Sequence, residues 1–282
     1  MPYTHFGNQA DVWKHLALCE VISTEKPRTY IETNSASAIY PLDHNPEQAF
    51  GIGYFLEKAP GMPGLQNSIY HKIESRAATD RQYIGSPGLA MTILKNITGH
   101  FVFFDIEKPP LENIRAFAGK IELHEKIKTF HQDSLTGLPE LLQDIGHNCF
   151  IHFDPYYVDR PGPEGYDYID LFIKAAQSGH RCFLWYGFHT LSEKTRINAH
   201  IREKVAKGGI KKTLCVELIL ETIRQKTILC NPGILGSGLL CGNLSEASVS
   251  AVLNCGALLV KLHTGSFFGR FKGELYREIL TF

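Results

Sequence analysis

The sequence has no excess charge of either sign. Its 29 lysine and arginine residues match 29 aspartate and glutamate residues. The molecule as a whole is therefore no polycation, and any nucleic-acid contact must come from a local basic patch. Paired cysteines are also missing. Seven cysteines occur, an odd number, with no C-x-x-C spacing. Most lie inside apolar runs, as Cys149 does in Asn148-Cys149-Phe150-Ile151. This excludes a disulfide framework and a clustered zinc site, and fits buried free thiols in a reducing compartment; no metal is expected. No apolar run approaches the ~20 residues needed to span a bilayer. The start, MPYTHFGNQADVWKH, has no basic segment followed by an apolar core, so neither a membrane span nor a signal peptide is expected. A cytoplasmic monomer is the expectation. Internal repeats, low-complexity tracts and heptads are absent as well. What is present, 282 residues of which 44% are hydrophobic, suits one large α/β domain carrying an insertion.

Short apolar runs alternate with helical patterns along the chain. Gln9 to Ser23 places Val12, Trp13, Leu16, Ala17 and Ile22 at helical spacing behind Asn8, a good N-cap. Thr29 to Thr33 is β-prone. Residues 43–86 are broken by Pro and Gly around one helical pattern near Leu65 to Ser75, and read as a helical insertion within a single domain of residues 1–282. Beyond it, strands are expected at Phe101–Phe104, Cys149–Phe153, Arg181–Tyr186 and Thr213–Leu220, with helices at Pro87–Ile97, Leu138–Ile145, Tyr168–Ala176 and Thr190–Lys207. Such alternation indicates a mostly parallel sheet covered on both faces. Glu32, Asp105, Asp133 and Asp154 each close an expected strand or follow one. Ligands of doubly wound sheets bind at that edge, where acids accept hydrogen bonds from hydroxyls and amines.

The segment Asp154-Pro155-Tyr156-Tyr157 carries the strongest local chemistry. An aryl amine such as adenine N6 is a poor nucleophile because its lone pair is delocalised into the ring. A carboxylate and a carbonyl that accept both amine hydrogens aim the lone pair at a methyl donor and offset the charge that develops. Asp154 and the Pro155 carbonyl are acceptors of that kind, and Tyr157 offers an aromatic face for a flipped-out base. Taken alone, the four residues also suit a strand end followed by an Asp-Pro turn.

In this setting the chain resembles the bacterial large-subunit (23S) rRNA adenine-N6-methyltransferases that carry a D-P-P-Y motif, some of which are also associated with the use of external DNA as a nutrient. The family signature H-x-G-N-x-A-D-V-x-K-H appears as residues 5–15, from His5 through Lys14 and His15. Gly85-Ser86-Pro87, Leu184-Trp185-Tyr186 and Gly236-Ser237-Gly238 follow in the family's order. The resemblance implies a Rossmann-like sheet that binds S-adenosylmethionine, with a helical insertion after the first strand. It implies that Lys14 and His15 lie at the methionine end of the cofactor, with Lys14 at the reaction centre. Asn34, Ser86 and Asp154 would also line the cofactor, Asp105 would hold the ribose and Asp133 the adenine amine. Asp154, Pro155 and Tyr157 would hold the target adenosine of large-subunit rRNA.

Three departures stand out. The family's first loop, D-x-H-A-G-x-G, is here Glu32-Thr33-Asn34-Ser35-Ala36-Ser37-Ala38, with alanines at both glycine positions. Tyr156 replaces the second proline of the motif. The Tyr-x-His that precedes the signature is not matched. The alternative these departures support is a weakened or inactive nucleic-acid-binding homologue linked to the use of external DNA; a third reading is an amine on another polymer, DNA or protein.

Basic residues gather between Glu193 and Lys212: Lys194, Arg196, Arg202, Lys204, Lys207, Lys211 and Lys212, of which Arg196, Arg202, Lys204, Lys207, Lys211 and Lys212 form a candidate RNA-facing stretch. A smaller run joins Arg270, Lys272 and Arg277 to Phe267, Phe268 and Phe271. A solvated helix face is the competing reading of either run.

Overall fold

The computed structural model describes residues 5–43, 45–146, 149–210, 212–221, 234, 236–268 and 271–282. Helix α1 (Gln9–Glu25) starts at Asn8, whose side chain accepts the Asp11 N–H at 3.0 Å. It is buried nearly all round, from Val12 and Trp13 to Ile22, and packs against α6 (Ser86–Leu94) and the last helix, α11 (Glu246–Leu262).

Eight strands form the main sheet: β1 (Thr29–Thr33), β4 (His100–Asp105), β5 (Ile127–His131), β6 (Phe150–Phe153), β7 (Arg181–Phe188), β8 (Thr213–Leu220), β9 (Gly236–Gly242) and β12 (Leu275–Leu280), in the spatial order β5-β4-β1-β6-β7-β9-β8-β12. Strands β5, β4, β1, β6 and β7 pair in parallel. Strands β10 (Phe267–Phe268) and β11 (Phe271–Lys272) form a separate antiparallel pair; in the main sheet β9 runs antiparallel to β7 and β8, and β12 runs antiparallel to β8 at the edge. This is the Rossmann-like sheet of S-adenosylmethionine-dependent methyltransferases, the fold class expected from the sequence. From β1 the chain builds outward through β4 and β5, then returns to lay β6 on the opposite side. That reversal puts the topological switch point, the crevice where ligands of such sheets usually bind, at the carboxyl ends of β1 and β6.

Two series of contacting helices flank the sheet: α7 (Lys108–Lys120), α6, α1 and α11, and α8 (Ser134–Asp144), α9 (Tyr168–Gln177) and α10 (Leu191–Gly208). Helix α7 had no counterpart in the sequence reading. Its first turn holds Pro109 and Pro110, which tolerate a missing N–H there, and Leu111, Ile114 and Ala118 form its buried stripe. After β1 the chain enters a small layer bounded by the antiparallel pair β2 (Ile39–Pro41) and β3 (Gln82–Ile84). Between them lie α2 (Pro46–Gln48), α3 (Tyr54–Lys58), α4 (Pro63–Gln66) and α5 (Ile69–Thr79), the last capped by Ser68. A Glu20 carboxylate oxygen on α1 accepts the Ile69 N–H at 3.0 Å and ties this layer down.

Six described cysteines are buried free thiols, and Cys230 lies outside the described residues. Among the described residues, no helix is long and apolar enough to cross a membrane.

Candidate active site at the carboxyl edge of the sheet

Helical spacing puts Asp11 and Lys14 on one side of α1, and the end of β6 brings Asp154 to the same point. Lys14 Nζ lies 2.7 Å from Asp154 Oδ2 and 3.1 Å from Asp11 Oδ1. It also sits 5.0 Å from the centre of the Trp185 ring on β7, within cation–π range. Burial by itself disfavours the ammonium, yet the flanking carboxylates outweigh it and hold Lys14 above the usual lysine range. Burial pushes the Asp11 carboxyl up, with Lys14 opposing and Asp154 adding repulsion. With both acids ionised, the trio carries one net negative charge. Asp154 spends Oδ2 on Lys14, and Oδ1 meets no donor among the described residues. The Asp154 N–H donates to Thr33 Oγ1 at 3.4 Å, linking the ends of β1 and β6.

Below this trio is a second, fully buried group. Strand register sets Glu32 beside His152. Glu32 accepts the Tyr30 hydroxyl at 2.9 Å and the Ser86 hydroxyl, and its Oε1 lies 3.2 Å from His152 Nδ1. His15 Nδ1 sits 2.7 Å from the Tyr83 hydroxyl on β3. Burial, then the charge of Lys14 and His152, holds His15 well below its usual pKa, so it is neutral at neutral pH. The other ring nitrogen, Nε2, is buried and has no partner among the described residues. Asn34 Oδ1 is likewise buried and unpartnered, while Asn34 Nδ2 donates to the Tyr168 hydroxyl at 2.9 Å.

The first loop keeps a glycine-like path without glycine. Asn34 and Ala36 have φ of 55° and 52°, and at Ala36 that conformation costs roughly 1–2 kcal/mol. The loop lies so close to the start of α6 that a Cβ on Gly85 or Gly88 would come within 2.2 Å of the Ser37 carbonyl or 2.3 Å of the Ala38 carbonyl. Asp105 Oδ2 accepts the Ala36 N–H at 2.9 Å, Oδ1 accepts the Glu107 N–H at 2.8 Å, and the residue is 2% exposed. Asp133 caps α8, accepting the Leu135 N–H at 2.9 Å. The acids at the sheet edge therefore serve different ends. Asp154 is partly open, Glu32 is internal, Asp133 caps a helix, and Asp105 is turned onto the chain's own loop.

The structure brings Lys14, His15, Asn34, Ser86, Asp105 and Asp154 to the β1–β6 crevice. Pro155 is buried beside them, and Tyr157 is 52% exposed at the rim. Sequence reasoning gave Asp11, Thr33 and Trp185 no individual role here. The i,i+3 spacing of Asp11 and Lys14 was an available signal; the contact with Trp185 was not.

The basic stretch runs along α10 and past its end. Helix α10 runs ~27 Å from the carboxyl edge to the opposite edge, so Arg196 starts near the crevice while Lys207 and Lys212 lie far from it. Arg196 pairs with Asp159, Lys204 with Asp167 and Asp170, and Lys207 with Glu203. The Arg202 guanidinium lies 5.9 Å from the centre of the Phe282 ring. Lys211 and Arg270 lie outside the described residues.

No family model and no curated protein matches this sequence. Among solved structures, the chain is similar to protein LPL1258 of Legionella pneumophila str. Philadelphia 1, described by the family model DUF519. The two share 25% identity over 98% of each chain, with a TM-score of 0.74. Fainter likenesses include an O-methyltransferase from Bacillus cereus in complex with SAH (8% identity, 81% of this chain and 80% of that one, TM-score 0.43). Another is the O-methyltransferase TomG from Streptomyces achromogenes (10% identity, 81% and 79%, TM-score 0.44).

Proposed function

We propose that this protein is an S-adenosylmethionine-dependent methyltransferase acting on a base amine in RNA, specifically the N6 amine of an adenosine in large-subunit rRNA. The observation that carries the reading is the Lys14–Asp154 contact, which engages one carboxylate oxygen and leaves the other without a donor among the described residues, on a side chain 13% exposed. Asp154 Oδ1 and the Pro155 carbonyl accept the two amine hydrogens, and Tyr157 supports the base from the side. Lys14 holds the carboxylate in place. The net negative charge of Asp11, Lys14 and Asp154 favours the cationic amine formed as the methyl group arrives.

The bound cofactor supplies an electrophilic methyl group. Its methionine end would suit His15 Nε2 and Asn34 Oδ1, buried polar atoms without partners among the described residues. Asp105 would hold its ribose hydroxyls, with the acceptor capacity its carboxylate keeps beside the Ala36 and Glu107 N–H groups. The test is transfer from labelled S-adenosylmethionine to unmodified large-subunit rRNA. Label on adenosine with the wild type and none with Asp154→Ala is expected; no transfer by the wild type, with an active enzyme working in parallel, sinks the proposal.

The closed Asp105 favours a second reading, in which the fold has kept the base-holding edge and lost the donor. Retained single-stranded nucleic-acid binding without cofactor binding is its signature.

A further inference from the structure

Seven large hydrophobic side chains are strongly exposed among the described residues, and four of them, Ile106, Tyr156, Tyr157 and Tyr166, lie on the loops that leave β4 and β6. Exposed apolar side chains are thus concentrated on two loops at the carboxyl edge of the sheet, one of which begins at Asp154. Tyr156 is the most open of the seven, at 71%. Its ring meets the Tyr157 ring edge-on, with centroids 4.6 Å apart and planes at 88°. The Arg160 guanidinium lies 5.8 Å from the centre of the Tyr157 ring, on the same loop.

Two aromatic faces at right angles cannot both stack on bases that are stacked on each other. They suit two bases splayed apart, which is the relation between a nucleotide turned into a pocket and its neighbour. We propose that Tyr156 is a stacking subsite for the nucleotide adjacent to the target, and that the ligand is a single-stranded nucleic acid. Tyr157 faces the target base and Tyr156 the base beside it. Arg160 adds a cation where the backbone phosphates pass. A proline in this position, as in the D-P-P-Y pattern, offers no such ring, so the subsite belongs to this chain's own variant of the motif. The proposal rests on the reading that Asp154 and Tyr157 hold a flipped base.

The test is binding of a labelled oligonucleotide about ten nucleotides long, one adenosine among uridines, measured by fluorescence anisotropy without cofactor. A deoxy version separates RNA from DNA as the source of the bases. Tyr156→Ala should weaken binding roughly 5- to 150-fold with an unchanged melting temperature, while Tyr156→Trp retains it. Removing the base next to the adenosine should weaken the wild type by a similar factor and the Tyr156→Ala protein no further. Equal binding by wild type and Tyr156→Ala overturns the subsite, as does an equal cost of the missing base in both proteins, or no binding at all. The same comparison at Tyr157, with the adenine itself removed, tests the parent reading. Coupling at Tyr156 without coupling at Tyr157 discards target holding and leaves the subsite standing.

Discussion

Lys14 Nζ and Asp154 Oδ2 lie 2.7 Å apart although 140 residues separate them in the chain. One belongs to the first helix and the other directly follows β6, the strand that flanks the crevice. Their contact fastens α1 across the end of the sheet and sets the direction of the carboxylate proposed to hold the target amine.

Replacing Lys14 by Met removes the cation and leaves Asp11 and Asp154 facing each other in a buried site. Loss of one partner of a buried pair costs roughly 3–5 kcal/mol. The deficit should shrink from neutral pH towards about pH 5, because burial already pushes the Asp11 carboxyl up and acid neutralises it once the Lys14 cation is gone. Urea unfolding of wild type and Lys14→Met across that range checks this; a deficit that stays constant with pH would show that the trio does not act as a charged unit.

Ala36 bears a strained φ of 52°. Ala36→Gly removes that strain while adding flexibility to the unfolded chain, so the folded protein should be unchanged or up to about 1 kcal/mol more stable. The same change should ease opening of the loop from Asp105 and tighten cofactor binding. Chemical denaturation and a cofactor titration read the two effects separately. Marked destabilisation would contradict the strained loop path.

His263 closes α11 between the rings of Tyr54 and Phe50, at centroid distances of 4.9 and 5.4 Å. Burial holds its pKa down to about 4, against an ordinary 6.5. The unfolded chain takes up a proton below 6.5 that the folded chain refuses until about 4, so stability falls as pH drops through that window. The contribution is about 3 kcal/mol when complete, and the lowered pKa of His15 acts in the same direction. His263→Gln should flatten the pH dependence of the unfolding midpoint; an unchanged slope would show that the folded and unfolded chains take up this proton alike.

Much of this organisation was legible in the sequence. Asn8, the strand-end acids and the alternation of apolar runs with helical patterns pointed to the sheet and to the edge where ligands bind. Strand β9 was harder to read. Its Gly-Ser-Gly start looks like a turn, yet a Cβ at Gly238 would come within 2.3 Å of the Tyr186 ring, so glycine lets β7 and β9 pack closely. Edge strand β12 is set by pairing with β8 rather than by a buried alternating face. The basic run was visible as composition, but its partners Asp159, Asp167 and Asp170 come from a loop and a neighbouring helix. The occupation of Asp105 by the Ala36 N–H also lay beyond sequence pattern, since it depends on the backbone path of a loop in which alanine takes a glycine-like conformation.

Calorimetric titration of the protein with S-adenosylmethionine tests the central claim most directly. Micromolar binding to the wild type, weakened by Asp105→Ala and by His15→Ala, is the predicted result. Absence of binding by folded wild-type protein, with single-stranded RNA still bound, would contradict it and leave a base-holding protein without a methyl donor.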